Sequence, residues 1–322
     1  MRIWRVGTRG SILAQCQTDW VLSQLSERFP NFRSEKVIIR TTGDRFDDRP
    51  LQQVTGKGFF VKEIEEALLA GEIDFAVHSL KDLPTELPEG LILAAVCNRI
   101  EKRDTLVAPQ GAPSGASWEQ VGLGMGAGAR IGTSSPRRQV QLLRYFPSWT
   151  FTPVRGNIDT RLKKLDQGQY DGLVLAGAGL VRLGLRDRIS AFLPIEVCCP
   201  APGQGALAVE ARRDDEEAFA LLSTLDEPLV RLEVIAERSV VQYLQAGCRT
   251  PLGACGTATN DRLRLRAVIA RPDGTHFSFA ELECHLNGDF QQRVQQAQEL
   301  GEQAGKVLQK EMTSTSSQRP SS

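Results

Sequence analysis

The chain has 322 residues, enough for two or three domains with their own cores, and 41% of it is hydrophobic, which excludes a disordered protein. Lys and Arg total 39 against 39 Asp and Glu, so no global field draws the protein to nucleic acid or an anionic membrane, and any anion site must be local. No apolar run has the length of a membrane span and no signal-peptide core precedes the first strand pattern, so a cytoplasmic protein is expected, its seven irregularly spaced cysteines mostly reduced and buried.

Trp4-Arg5-Val6 reads as a strand that Gly7-Thr8 ends, and a helix follows from about Ser11 to Arg28, before Pro30, with Leu13, Cys16, Trp20 and Leu25 on its apolar stripe. Thr42 to Gly58 is polar and leads into a helix bearing Phe60, Ile64 and Leu68. It reads either as a lid whose Lys57 meets an anion on closing or as a merely flexible loop. Gly71 ends that helix, and Phe75 to His78 runs as a buried strand into Ser79-Leu80-Lys81-Asp82-Leu83-Pro84. Asp82 thus stands just past a strand end, where a carboxyl can protonate a leaving amine or stabilise a cation; the alternative is a turn-forming Asp paired with Lys81. His78 has the setting of a hydrogen-bonded structural residue, and three scattered histidines give no metal-ligand spacing, so no metal is expected.

Gly122 to Gly128 is rich in glycine but leads into a strand, unlike a dinucleotide fingerprint. After the strand Ala129 to Ile131 comes Gly132-Thr133-Ser134-Ser135-Pro136-Arg137-Arg138. Ser135 suits an N-cap and Pro136 a first helical position, so a helix is expected from here to about Tyr145, before Pro147. Its N-terminal N–H groups and paired guanidiniums suit a carboxylate or phosphate. A solvated basic turn is the alternative, although arginine in a first turn opposes the helix dipole. Ile131-Gly132-Thr133 matches Val6-Gly7-Thr8, and Gly168 to Leu175 matches Gly71 to His78. A duplicated pair of α/β lobes follows, with a ligand cleft beyond the carboxyl ends of the strands. Arg9 and Ser11 occupy the first-lobe position equivalent to the Gly132–Arg138 motif, while Arg155, Arg161 and Arg182 each lie near a strand-to-helix connection. Several arginine loci in one lobe suggest a ligand with several carboxylates.

Pro200 to Gly205, followed by strand-like Ala206 to Glu210, looks like a crossing segment that returns to the first lobe. Cys198 and Cys199 before it are either a redox pair or part of a packed strand. Residues 214 to 245 carry two helical patterns divided near Pro228, the second with Leu229, Leu232, Ile235 and Ala236 on one side and Gly247 as its stop. Cys248 follows on a turn, where Arg249 favours the thiolate; it reads as a nucleophile or as a structural loop cysteine. A hairpin of Leu263 to Ile269 and Thr275 to Cys284, turning through Pro272-Asp273-Gly274, and a helix from about Asp289 to Lys310 complete a third, α+β unit. The Ser-rich end from Thr313 to Ser322 reads as a disordered tail. The expected division is 1–98 with 199–216 as the first lobe, 99–198 as the second, and 217–312 as the α+β domain.

Together these segments resemble the porphobilinogen deaminase, or hydroxymethylbilane synthase, family over nearly the whole chain up to the tail. The residues that carry the resemblance are Thr8-Arg9-Gly10-Ser11, Gly56-Lys57-Gly58-Phe59, Val77 to Pro84, Gly132 to Ser135, Arg137-Arg138, Arg155-Gly156-Asn157, Thr160-Arg161-Leu162, Gly203-Gln204-Gly205-Ala206 and Gly247-Cys248. The resemblance implies two lobes like those of periplasmic binding proteins, an active-site cleft between them, and a smaller C-terminal domain whose Cys248 carries a thioether-linked dipyrromethane cofactor. It implies an enzyme that joins four porphobilinogen molecules head to tail, releases ammonia each time, and hydrolyses the product from the cofactor as hydroxymethylbilane. Asp82 would be the catalytic carboxylate, helping to expel ammonia and stabilising positive charge on pyrrole nitrogens. Arg9, Ser11, Lys57, Lys81, Thr133, Ser134, Ser135, Arg137, Arg138, Arg155, Arg161, Arg182 and Gln204 would hold the acetate and propionate carboxylates of cofactor and substrate. Pro136 stands where the family usually has Leu, Ala246 where it usually has Gly, and Cys198-Cys199 is unusual; none removes a reacting group. The rival reading is a non-catalytic two-lobed polycarboxylate-binding protein. A monomer without nucleic-acid or membrane partners is expected.

Overall fold

The computed structural model describes residues 2–45, 61–111, 116–247 and 250–314. The first lobe opens with β1 (Trp4–Arg9), α1 (Ile12–Arg28), β2 (Ser34–Ile39), the short α2 (Thr42–Arg45), α3 (Lys62–Leu69), β3 (Phe75–Ser79), a single 3₁₀ turn at Leu80–Asp82, and β4 (Leu91–Cys97). The second follows with β5 (Asp104–Val107), α4 (Trp118–Gly124), β6 (Arg130–Gly132), α5 (Pro136–Leu143), β7 (Thr150–Thr152), α6 (Ile158–Asp166), β8 (Gly172–Ala176), α7 (Gly177–Arg182) and β9 (Ala191–Phe192). The chain then crosses back as β10 (Leu207–Arg212) before α8 (Glu216–Leu222), α9 (Pro228–Tyr243), β11 (Leu252–Ala258), β12 (Arg262–Ala270), β13 (Phe277–His285) and α10 (Phe290–Ser314).

The two lobes share one strand order. In the first sheet it is β2-β1-β3-β10-β4, in the second β7-β6-β8-β5-β9. Each places three parallel strands beside an antiparallel one that has crossed between the lobes, β10 inward and β5 outward. The duplication extends to side chains. Arg5 donates its amide to the Asp74 carboxylate and its guanidinium to the Gly71 carbonyl; Arg130 does the same with Asp171 and Gly168. Gly7 of β1 and Gly132 of β6 occupy equivalent places, and a Cβ on either would meet a core side chain, Ile73 at 2.3 Å or Leu173 at 2.4 Å.

Several sequence expectations shift in register. The buried face of α1 is Ala14, Gln17, Thr18, Val21 and Leu25, not the Leu13–Cys16–Trp20 stripe. Leu13 and Cys16 are half-buried where α1 turns toward α7 of the other lobe, Leu13 approaching Gly179 and Cys16 reaching the Arg182 carbonyl, while Trp20 packs part-buried against the first-lobe core. Helix α9 stops at Tyr243, with Gln245 in the left-handed conformation (φ 48°), two residues before the expected Gly247. Cys198 and Cys199 lie buried in a turn, not a strand. The hairpin gains a third strand, β11, on the far side of β12. Helix α10 runs through Thr313 to Ser314, which removes both residues from the tail; the rest of that tail, Lys57 with most of the proposed lid, and Cys248 lie outside the described residues.

Candidate active site

The Asp82 turn is built by burying its ends. Leu80 and Leu83 are 1% and 4% exposed, Leu80 donates its amide to Ala206 of the crossing segment, and Leu83 closes on the Leu80 carbonyl. Lys81 and Asp82 between them are exposed. Arg238 of α9 donates to the carbonyls of Leu83 and Pro84, so the third domain holds the exit of the turn. Among the described residues, no ion pair joins Lys81 to Asp82. Behind the turn, buried His78 sits 3.0 Å from Glu210 of β10.

Lys81 faces the second lobe. Enclosure by protein pushes its ammonium down to about 8; Arg138 and Arg137 add to the fall, while Asp82 and Asp104 oppose it. Its surface stays open to solvent.

Arg137 and Arg138 begin α5 where the sequence placed them, with Ser135 at the N-cap position and Pro136 at the first helical residue; the Ser135 hydroxyl makes no capping bond. Both guanidiniums have an internal partner that the sequence reading missed. Arg138 donates Nε and Nη2 to Asp104 Oδ1 at 3.0 and 2.7 Å, and Nη1 to the Val174 carbonyl. Arg137 donates Nη1 to Asp104 Oδ2 at 2.7 Å and to the Cys199 carbonyl at 2.7 Å. Asp104 is fully buried, and the two arginines hold its carboxyl well below the usual range despite that burial. The only trace of this in the sequence is one acid opening the apolar run Asp104-Thr105-Leu106-Val107.

Three other residues of the expected carboxylate-binding set are turned to internal duties. Gln204 is 1% exposed, and its donor nitrogen is bonded to Asp104 and to the Lys102 carbonyl, so it has no donor left for a ligand carboxylate. Thr133 is 1% exposed and accepts from the Ser135 amide. Arg182 donates one terminal nitrogen to the Asn98 and Gly205 carbonyls, and burial lowers it to about 10. Ser11 caps α1 by accepting from Ala14, and Ser134 donates to the Val154 carbonyl. Arg9 closes β1, Arg155 lies in the loop after β7 and Arg161 in α6; all three are half-buried, Arg161 donating Nε to the Gly156 carbonyl. On the third domain, Gly247 and Thr250 flank Cys248 and Arg249 and are joined by two hydrogen bonds.

Duplicated α/β lobes joined by two crossing segments, with paired arginines of one lobe opposite an exposed Lys-Asp turn of the other, define a two-lobed scaffold for anionic ligands. Comparison with known proteins gives the family. Residues 4–220 match the family model described as porphobilinogen deaminase, dipyromethane cofactor binding domain, and residues 231–310 match the porphobilinogen deaminase C-terminal domain. The chain is 43% identical to the porphobilinogen deaminase of Desulforamulus reducens over 307 residues, covering 95% of this chain and 97% of that one. It is 48% identical to that of Desulforudis audaxviator (86% and 87% covered) and 46% identical to that of a Nostoc species (85% and 83%). The chain belongs to the porphobilinogen deaminase family.

Proposed function

We propose that the chain is a transferase that condenses four porphobilinogen molecules head to tail, with loss of ammonia at each step, on a dipyrromethane primer attached to Cys248, and then releases hydroxymethylbilane by hydrolysis. The observation that carries this reading is the exposed Lys81–Asp82 turn facing Arg137 and Arg138 across the lobe boundary. A dipyrromethane with acetate and propionate arms fits such a donor set. Two guanidiniums balanced by one buried carboxylate leave a net positive charge, Lys81 adds another, and Arg9, Arg155 and Arg161 are further half-buried cations of the two lobes. When bound, the cofactor supplies the free pyrrole carbon to which the first substrate is joined.

The protein's own groups then have distinct tasks. The cations hold substrate carboxylates, each charge-assisted contact contributing about 1.5–3 kcal/mol. Asp82, fixed by the buried Leu80 and Leu83, lies against positive charge that develops on the substrate as ammonia leaves, and its carboxylate can accept the proton freed when the new carbon–carbon bond forms. No helix among the described residues is long and apolar enough to cross a membrane. We infer a cytoplasmic monomer without nucleic-acid partners, a reading supported by the balanced charge. Intact mass tests the proposal against a non-catalytic polycarboxylate binder. Protein made with ample porphobilinogen should exceed its sequence mass by one dipyrrole unit, and Cys248→Ala should remove the excess; a bare wild-type mass would sink the cofactor assignment.

A further inference from the structure

We propose that Arg144 is a positioning residue for this site: lying across the rings of Phe277 and Phe279, it docks the third domain onto α5, the helix whose first turn carries Arg137 and Arg138. The inference rests on reading Cys248 as the cofactor attachment point and the two arginines as carboxylate holders.

One stripe of α5 faces the third domain. Arg137, Val140, Gln141 and Arg144 stand at i, i+3, i+4 and i+7, and Arg144, at the C-cap, keeps helical backbone angles, so the four share a side. Leu142 turns the other way, into the second-lobe core. Gln141 brackets the Cys199 peptide, accepting from its amide at 2.8 Å and donating to its carbonyl at 3.1 Å. Behind that peptide, Cys199 packs against Cys255 of β11 and Val268 of β12, with Phe277 of β13 against the same cluster. Val140 is 3% exposed, and a Cβ on Gly274 of the β12–β13 turn would lie 4.0 Å from it. Arg144 completes the row. Its guanidinium carbon is 4.9 Å from the ring centroids of both Phe277 and Phe279, whose planes are 12° apart. Among the described residues Arg144 makes no ion pair, so the ring faces are its partners.

Strand pairing connects this contact to the cofactor attachment point. Phe277 pairs with Ala270 of β12, and Ala270 donates its amide to the Pro251 carbonyl at 3.0 Å. Phe277, Ala270 and Pro251 thus form one row at one end of the sheet, two strand spacings or ~10 Å across. Cys248 precedes Pro251 by three residues. Arg144 therefore holds the end of the sheet that Cys248 leads into, and α5 carries that hold to the arginine pair at its other end.

The contact is modest, which makes it measurable. Arg144 and Phe279 are exposed, and at an exposed site each cation–π contact shifts an equilibrium by about two- to fivefold, the pair by about tenfold. Substitution of an exposed side chain also leaves the cores intact. Hydroxyl-radical footprinting of the full-length holoenzyme reads docking at Val140, with exposed Leu123 of α4 as internal standard and the denatured protein as the undocked limit. Val140 labelling should rise from wild type through Arg144→Lys and Arg144→Gln to Arg144→Glu, reaching about tenfold in Arg144→Gln. Gln and Glu match in size and differ in charge, and a carboxylate over two ring faces is repelled. The kcat should fall in step with the docked fraction so obtained, while KM for porphobilinogen stays within twofold. Labelling that does not rise in Arg144→Gln, equal labelling in the Gln and Glu variants, or a kcat indifferent to the docked fraction overturns the proposal. Intact mass tells this failure from that of the underlying reading. A holoenzyme without the dipyrrole unit rejects Cys248 as the attachment point and the inference with it, whereas a loaded enzyme with unmoved Val140 labelling rejects the role of Arg144 alone.

Discussion

Asp82 and its neighbours set what single side chains can be asked to do. The turn that carries Asp82 is anchored by Leu80, Leu83 and the Ala206 carbonyl, none of which involves its carboxylate. Asp82→Asn should therefore keep the fold and the KM for porphobilinogen within a few-fold while kcat falls by about 10²–10⁴, the usual worth of a general acid–base or charge-stabilising group; steady-state kinetics with a thermal melt check both halves. Glu65 of α3 gives a prediction about pH. Burial raises it from 4.5 to about 7, Glu210 adds to the rise, and His78 opposes it. Across that window the folded state binds more protons than the unfolded one, so unfolding free energy falls as pH rises from about 4.5 to 7. Urea melts should show Glu65→Gln gaining about 1–3 kcal/mol on wild type between pH 5 and pH 8. A constant difference would mean that Glu65 titrates normally.

Secondary-structure elements were legible where one local string decides them. The paired lobes could be read because Val6-Gly7-Thr8 in β1 and Ile131-Gly132-Thr133 at the end of β6 each carry a glycine that a core side chain packs against. The same pairing extends to Arg5–Asp74 and Arg130–Asp171, a hydrogen-bond pattern that no local pattern announces. Strand β11 was missed because Leu252-Gly253-Ala254-Cys255-Gly256 has small residues in place of alternation. The structure gives the reason: Cβ atoms on Gly253 and Gly256 would lie 2.6 Å from the Cys199 carbonyl oxygen and 2.9 Å from the Glu233 Cα. The α9–α10 crossing follows the same rule. A Cβ on Gly301 would lie 2.3 Å from the Ala236 carbonyl oxygen, so Gly301→Ala should cost about 1–3 kcal/mol although alanine favours helix. At Gly124 nothing lies within 4 Å, and Gly124→Ala should be neutral or stabilising by up to about 1 kcal/mol. Opposite signs in parallel denaturant melts would establish that packing, not propensity, fixes the crossing.

At the scale of the whole molecule, what the sequence conceals is long-range. Asp104 meets Arg137 and Arg138 across 33 and 34 residues, a separation with no periodicity to betray it. The joint between the third domain and the two crossing segments is harder still to read, because it is made by two acids that lie buried on a helix with half-buried arginines of its own. Glu237 accepts from the amides of Gly203 on the second crossing and Gly256 on β11, and pairs with Arg99 on the first crossing at 2.8 Å. Glu233 pairs with Arg99 at 3.0 Å and with Lys102 at 2.7 Å. Arg99 and Glu237 have side chains 1% and 0% exposed, so neither charge has water to replace a lost partner. Glu237→Gln keeps the shape but turns an amide N–H toward groups that are themselves donors. Because breaking a buried pair from one side costs about 3–5 kcal/mol, the third domain should lose its hold on the crossing segments before the lobes unfold. Calorimetry should then resolve two transitions where wild type shows one, and the Arg238 bonds to Leu83 and Pro84 should be lost in the first, taking activity with them at a temperature where the lobes remain folded. A single transition within about a degree of wild type would mean that packing around Val234 and Leu80 suffices to couple the cofactor domain to the Asp82 turn.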